Sequence, residues 1–118
     1  SWNTPEFFRG LAERGIGFVN IDQPLFNDSI APSARATSRV GYVRVHGRNY
    51  TDWWRKDAGV YARYDYLYPK EELDPWADRV KEIAAQPATE DVYVVTNNHA
   101  RGKAVANALM LQTLTTGE

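Results

Sequence analysis

Four residues of this chain stand out as able to do chemistry: Asp22 and Arg44, each inside a hydrophobic run, and the two histidines, His46 and His99. His46 offers a general base or a metal ligand, because an imidazole changes charge near neutrality. The plainer reading is a structural histidine hydrogen-bonded near Arg44. Asp22 could serve as base, as metal ligand, or as the counter-ion of Arg44. Asn97 and Asn98 carry amides suited to orienting a ligand hydroxyl or phosphate, or to tying off a strand-to-helix turn. The run His99-Ala100-Arg101-Gly102-Lys103 precedes a helix, whose amino-terminus attracts phosphate, so Gly102, Lys103 and Asn98 are the expected phosphate contacts. Arg48 and Tyr64 complete the expected ligand set, and His99 is expected to face solvent near the last helix. No metal is expected, because Asp22, His46 and His99 come from separate elements without a local ligand motif. The sequence names no cofactor. It holds no Walker loop, dinucleotide glycine fingerprint, serine-nucleophile elbow or zincin motif.

The elements that would position these groups can be read from turn chemistry and periodicity. Thr4 as cap, Pro5 and Glu6 open a helix carrying Phe7, Phe8, Leu11 and Ala12, and Gly15 closes it. Strands are expected over residues 17–22, 40–47 and 91–98. Residues 23–39, bearing Pro, Ser and Ala, read as a loop with room for one helical turn. Asp74-Pro75 reads as the start of a helix with Trp76, Val80, Ile83 and Ala84 inward. A final helix over 102–115 is expected to bury Val105, Ala108, Leu109 and Leu111. Residues 48–68 have no clean period and carry Tyr50, Trp53, Trp54, Tyr61, Tyr64, Tyr66 and Tyr68. So long a loop is usually functional, with stacking on sugars or bases, or a lid, as its uses; the alternative is a loop folded onto its own aromatics. The alternation of helix and strand predicts an α/β fold with parallel strands.

Strand alternation then divides the side chains into two faces. Val19 and Ile21, Val43 and Val45, and Val92, Val94 and Thr96 form a β-branched set suited to packing under helices. Phe18, Asn20 and Asp22, Tyr42, Arg44 and His46, and Tyr93, Val95 and Asn97 form the other set. A parallel sheet covered on both faces should be apolar throughout, and these strands are not. The pattern predicts consecutive strands of a TIM-type (β/α) barrel, with Asp22, His46 and Asn97 at its mouth; the plainer alternative is an antiparallel sheet with one solvated face. Arg44 needs a partner in that interior, and Asn20 and Asp22 are the expected ones; further carboxylates would lie outside this chain.

Composition sets the bounds. The 118 residues are 43% hydrophobic and 25% charged, enough for one globular domain and one core. Cysteine is absent, which removes disulfides, thiolate nucleophiles and Cys-based metal sites and makes the cytoplasm the expected location. No apolar run is long enough for a membrane helix, so no membrane partner is expected. The net charge of −1 conceals a basic segment: residues 35–63 hold seven basic and two acidic groups (+5), and residues 64–96 hold three basic and eight acidic ones (−5). The +5 segment suits either an anionic partner or the acidic segment that follows it. A sequence pI near 6.1 disfavours general nucleic-acid coating.

The motifs Tyr42-Val43-Arg44-Val45-His46-Gly47-Arg48, Arg63-Tyr64-Asp65-Tyr66-Leu67-Tyr68, Glu71-Glu72-Leu73 with Trp76-Ala77-Asp78-Arg79-Val80, and Asp91-Val92-Tyr93-Val94 through Asn97-Asn98 with Gly102-Lys103-Ala104 and Asn107-Ala108 resemble the domain of unknown function 72 (YecE-like) family. The opening Ser1-Trp2 also resembles the family segment that follows a strand ending in arginine and histidine. The resemblance runs through the whole chain and implies a TIM-type barrel about twice this length. Residues 1–118 would then be a single domain, the carboxyl-terminal portion of that barrel, holding its last three parallel strands with flanking helices. It implies no reaction. Arg44, His46, Asn97 and Asn98 fall on the family's signature positions, while His99 and Val95-Thr96 depart from its usual pattern.

The expected function is binding of, or action on, a small anionic or sugar-containing ligand at the carboxyl ends of the strands. Arg44 and Lys103 would hold the anion, and Asp22 or His46 would handle protons. The alternatives are nucleic-acid binding through residues 35–63 and the aromatic loop, and a non-catalytic interaction protein. The expected macromolecular partner is the missing amino-terminal part of the barrel or a second copy of the chain, because a barrel fragment leaves strand edges unpaired.

Overall fold

Thr4 starts helix α1 (Pro5–Glu13) by accepting a hydrogen bond from the Phe7 N–H at 3.2 Å, and Pro5 takes the first helical position, where a missing N–H costs nothing. Gly15, at φ +66°, turns the chain out of the helix. In this computed structural model, which describes residues 2–57, 59 and 62–117, the chain continues through β1 (Val19–Asp22), β2 (Val40–Val45), α2 (Lys70–Ala84), β3 (Asp91–Thr96) and α3 (Lys103–Thr116). Short 3-10 turns at Ala62–Tyr64 and Ala100–Gly102 precede the last two helices. The strands are parallel and ordered β1-β2-β3, giving an α/β structure with helices flanking a three-stranded sheet. No described helix is long and apolar enough to cross a membrane.

Helices α2 and α3 cover one face of the sheet. Val43 and Val45 are buried there against Tyr68, Leu73, Trp76, Ile83 and Leu111. Gly41 permits the close approach of α2: a Cβ at that position would stand 2.3 Å from the Ile83 Cγ2. The other face carries no layer among the described residues, and Val19 and Tyr93 are exposed on it.

The register corrects the expected sidedness. Asn20 is paired with Val43 and Asp22 with Val45, while Ile21 is paired with Arg44 and Val19 with Tyr42. Asn20 and Asp22 therefore lie on the helix-covered face, and Val19 and Ile21 on the open face with Tyr42, Arg44, Tyr93 and Val95. The assignments within β2 and β3 hold; β1 is out of phase with them by one residue. Burial of Asn20 is possible because all its hydrogen-bonding capacity is met: its Nδ2 donates to the carbonyls of Arg35 and Tyr42, and its Oδ1 accepts from Ser33 Oγ and Arg35 N–H.

Those bonds also explain the crossover from β1 to β2. It contains no helical turn; residues 23–39 run as a strap in which Ala34 and Ala36 pack on the core where a helix would otherwise lie. Phe18, expected in the interior of a barrel, packs instead on α1, with its ring 5.0 Å from that of Phe8.

Two helix expectations change as well. Helix α2 begins at Lys70, with Pro69 in the position before it and no side-chain cap, and Pro75 lies inside it. Proline there removes one backbone bond, and the burial of Leu73, Trp76, Ala77 and Ile83 outweighs that loss. Ala84 is exposed. Helix α3 buries Ala104, Asn107 and Leu111, leaving Val105, Ala108 and Leu109 in solvent. Its orientation is set by a polar contact: Asn107 Oδ1 accepts from Tyr68 N–H at 2.9 Å and its Nδ2 donates to the Tyr68 carbonyl at 3.1 Å.

Candidate functional site

The carboxyl ends of the strands hold two separate groups of residues, one on each face. On the covered face Asp22 is 1% exposed and accepts four hydrogen bonds. Arg48 donates through Nε to Oδ2 at 2.9 Å and through Nη2 to Oδ1 at 2.7 Å; Tyr68 Oη donates at 2.5 Å and Trp76 Nε1 at 2.8 Å. Arg48 also donates to Glu72 Oε2 at 2.9 Å, and Tyr66 Oη bonds the other Glu72 oxygen. This arrangement depends on Gly47, whose φ of +99° turns the chain so that Arg48 reaches back over the covered face. The Gly47 N–H donates to Tyr68 Oη at 2.8 Å, closing the network.

The electrostatics of the network follow from burial and pairing. The hydrogen bond to Asp22 holds Arg48 above its usual range. Burial and then the Asp22 charge push the Tyr68 phenol upward. Burial and the bond to Glu72 push Tyr66 up to about 12. Both phenols thus stay protonated near neutrality and act as donors. Asp22, with all its acceptor sites occupied, anchors the end of β1 to α2 and to the segment before it, and Arg48 is its clamp. Asp22, expected at the barrel mouth beside Arg44 and His46, lies on the opposite face, and Arg48, expected to bind ligand, is engaged with Asp22 and Glu72.

On the open face Arg44 Nε donates to Asn97 Oδ1 at 3.1 Å. Among the described residues Arg44 forms no ion pair: Asp22, the carboxylate expected to meet it, points to the opposite side and pairs with Arg48, and Asn20, the other expected partner, points there too. His46 follows on the same side of β2. Its ring lies 6.4 Å from that of Trp53 and 6.2 Å from that of Tyr64, and the Trp53 and Tyr64 rings are 5.9 Å apart. His99 completes the group, its ring 5.6 Å from Tyr64 and its Nδ1 2.7 Å from the Asn97 carbonyl oxygen. Burial first, and the Arg44 charge second, lower the pKa of His46, with Asp22 opposing them. The imidazole is therefore neutral at pH 7. Its Nδ1 is buried with no hydrogen-bond partner among the described residues.

Other predicted ligand residues are engaged within the protein. Asn98 Nδ2 donates to the Tyr66 carbonyl and to Asn107 Oδ1, both at 2.8 Å, which fixes the end of the long loop; its buried Oδ1 has no partner among the described residues. Lys103 is paired with Asp65 rather than waiting for phosphate, and that contact holds the Asp65 carboxyl below its usual range. Gly102 stands at φ +75° before α3. Among the described residues no three His, Asp or Glu side chains gather around a point that could hold a metal ion.

The long loop is pinned by Asn49, whose Nδ2 donates to Asp52 Oδ2 and to the carbonyls of Ala62 and Asp65. Tyr61 lies outside the described residues. Trp53, buried in the angle between His46 and Tyr64, is the site residue that sequence reasoning did not single out. The aromatic density of 48–68 marked the segment, but nothing local distinguished Trp53 from Trp54. A separate cleft of about 570 Å³, lined by residues such as Ala12, Thr37 and Gln86, lies at the amino ends of the strands, away from all these groups.

A family profile described as "Protein of unknown function DUF72" matches residues 1–118. The UPF0759 protein YunF of Bacillus subtilis (strain 168) is 32% identical over 116 residues, an alignment spanning 91% of this chain and 40% of YunF. A DUF72 family protein of Thermotoga maritima MSB8, known as a crystal structure, superposes with a TM-score of 0.84 at 34% identity, covering 97% of this chain and 42% of that one. The crystal structure of a DUF72 family protein of Enterococcus faecalis V583 gives a TM-score of 0.79 at 26% identity, covering 98% and 44%. The chain spans less than half the length of the relatives it matches.

Proposed function

The chain belongs to the DUF72 family, whose description assigns no activity, and from that premise we propose that its sheet is one arc of a TIM-type barrel whose open face binds a small anionic ligand at the carboxyl ends of the strands. Arg44 holds the anion, Asn97 orients Arg44, and His46, neutral at pH 7, is placed to accept a proton. Trp53, Tyr64 and His99 wall the group on the loop side.

The observation that carries this reading is the state of Arg44: a guanidinium on the open sheet face, hydrogen-bonded to an amide oxygen and to no carboxylate among the described residues. A cation in that position recruits an anion, and a guanidinium matches a carboxylate or phosphate with two parallel bonds. The barrel itself is supported by the parallel strands in sequential order, by the helices on one face only, and by relatives more than twice as long. Its remaining strands, from the rest of a longer chain or from a second copy, would cover the open face and pair with the outer edges of β1 and β3. Asp22 has no proton-transfer role in this reading.

Nucleic-acid binding is less well supported. Within the basic segment Arg39 pairs with Glu90, Arg48 with Asp22 and Glu72, and Arg55 with Asp52 and Asp57, so much of the surplus is used internally.

The test is thermal denaturation with inorganic phosphate and, separately, malonate, with chloride at equal ionic strength as control. Either anion should raise the melting temperature of the native protein, and Arg44→Ala should lose that rise while keeping its circular dichroism spectrum. An equal rise in Arg44→Ala, or none in the native protein, rejects the reading.

A further inference from the structure

Beside the Arg44–His46 group, and separate from it, the loop after β1 and the start of the long loop enclose a cleft of about 530 Å³ lined by Gln23, Phe26, Asn27, Asp28, Ser29, Trp53 and Trp54. Its chemistry differs from that of the neighbouring site. The cleft holds three aromatic rings, two amides, a hydroxyl and one carboxylate, and no lysine or arginine lines it. Trp54 is 69% exposed, a large apolar surface left in water.

The rings are held in place. Phe26 sits 5.5 Å from Tyr50 and 5.9 Å from Trp54, centroid to centroid. Tyr50 Oη accepts from Leu25 N–H at 2.9 Å, which ties the two loops together, and Phe26 N–H donates to Ser29 Oγ at 3.0 Å within the first of them. Trp53 is fixed from the other side by Tyr64 and His46. A preformed aromatic platform of this kind costs little ordering when a ligand settles on it.

We propose that this cleft is a subsite for a neutral saccharide. A pyranose ring presents a face of C–H groups that stacks on indole and a rim of hydroxyls that needs both donors and acceptors. The two tryptophans and Phe26 supply the first, and Gln23, Asn27, Asp28 and Ser29 the second. The lone charge in the lining is negative, which accepts from sugar hydroxyls and repels a phosphodiester backbone, so an oligonucleotide is the poorer fit. The subsite stands independently of the anion reading at Arg44. If both hold, Trp53, which touches both, joins them into a site for a sugar-bearing anion.

The experiment is a tryptophan-fluorescence titration of this chain with maltotriose, xylotriose and chitotriose, with single-stranded oligothymidylate as a further arm. At least one saccharide should give a saturable change in emission, with half-saturation on the order of millimolar. Trp54→Ala should raise the half-saturating concentration about tenfold or more, consistent with one stacked ring. Asp28→Ala, which leaves the platform intact, should weaken binding, and Arg39→Ala, at a surface charge paired with Glu90 outside both sites, should leave saccharide binding unchanged. Three results overturn the proposal: no saturable response to any saccharide, an unchanged response in folded Trp54→Ala, or a salt-sensitive response to the oligonucleotide alone. A saturable saccharide response in a protein whose melting temperature no anion raises rejects only the reading at Arg44.

Discussion

The guanidinium of Arg48 grips the carboxylate of Asp22 through two bonds, of 2.9 and 2.7 Å, across the turn that ends β2. The contact ties the first strand to the second at their carboxyl ends, and Trp76 and Tyr68 extend it to α2 and to the segment before it. A residue with the look of a catalytic carboxylate is thereby a structural group, its four hydrogen bonds all made within the protein.

Asp22→Ala should therefore damage the fold rather than a reaction. It leaves the partly buried Arg48 with Glu72 alone and the Tyr68 hydroxyl and Trp76 N–H without their acceptor, and loss of one member of such a pair costs about 3–5 kcal/mol. Urea denaturation checks the value. Tyr68→Phe, which removes one donor and orphans the buried Gly47 N–H, should cost about 1–3 kcal/mol. A carboxylate used only in catalysis would show little change in either experiment.

Gly47→Ala should destabilise the protein by about 1–3 kcal/mol. The position has φ +99°, and an added Cβ would meet the Tyr66 Cβ at 2.9 Å. The same change should loosen the Arg48 clamp, so its cost in a background already lacking Asp22 should be smaller. A double-mutant cycle measures that coupling.

His46 should make stability depend on pH in a defined direction. Its folded pKa lies below the ordinary value of 6.5, so between those two values the unfolded chain binds more protons than the folded one. Stability is then greatest above pH 6.5 and declines as the pH falls from 6.5 toward the folded value, levelling off below it. His46→Gln should flatten that part of the profile. Chemical denaturation of both proteins from pH 5 to pH 8 reads the difference, and identical slopes would contradict it.

The open face and the two outer strand edges should drive association of this chain when it is alone. Val19 and Tyr93 are exposed on the face, and β1 and β3 each have one edge with no neighbouring strand among the described residues. Light scattering across a concentration series should show dimers or larger species, and amide exchange in the dimer should slow along β1 or β3. A monomer at every concentration, with both outer strands exchanging freely, would contradict this.

The amino-acid sequence alone determined the order of elements, the parallel α/β character, the cap at Thr4 and the two faces within each strand, because these follow from local turn chemistry and from periods of 2 and 3.6. It also placed Arg44, His46 and Asn97 on one side, since β2 and β3 were read in the correct relative phase. The phase of β1 belonged to the tertiary structure. A strand's alternation says which residues share a face but not which face it is, and a shift of one residue exchanges the two. Polarity misled at that point: Asn20 and Asp22 look like solvent- or ligand-facing groups, yet Ser33, Arg35, Arg48, Tyr68 and Trp76, up to 54 positions away, satisfy them in the core. The same holds for α3, where a buried Asn107 bonded to Tyr68 sets the inward face against the pattern of its leucines. Hydrogen bonds between residues distant in sequence decide whether a polar side chain can be buried, and only the folded chain brings those partners together.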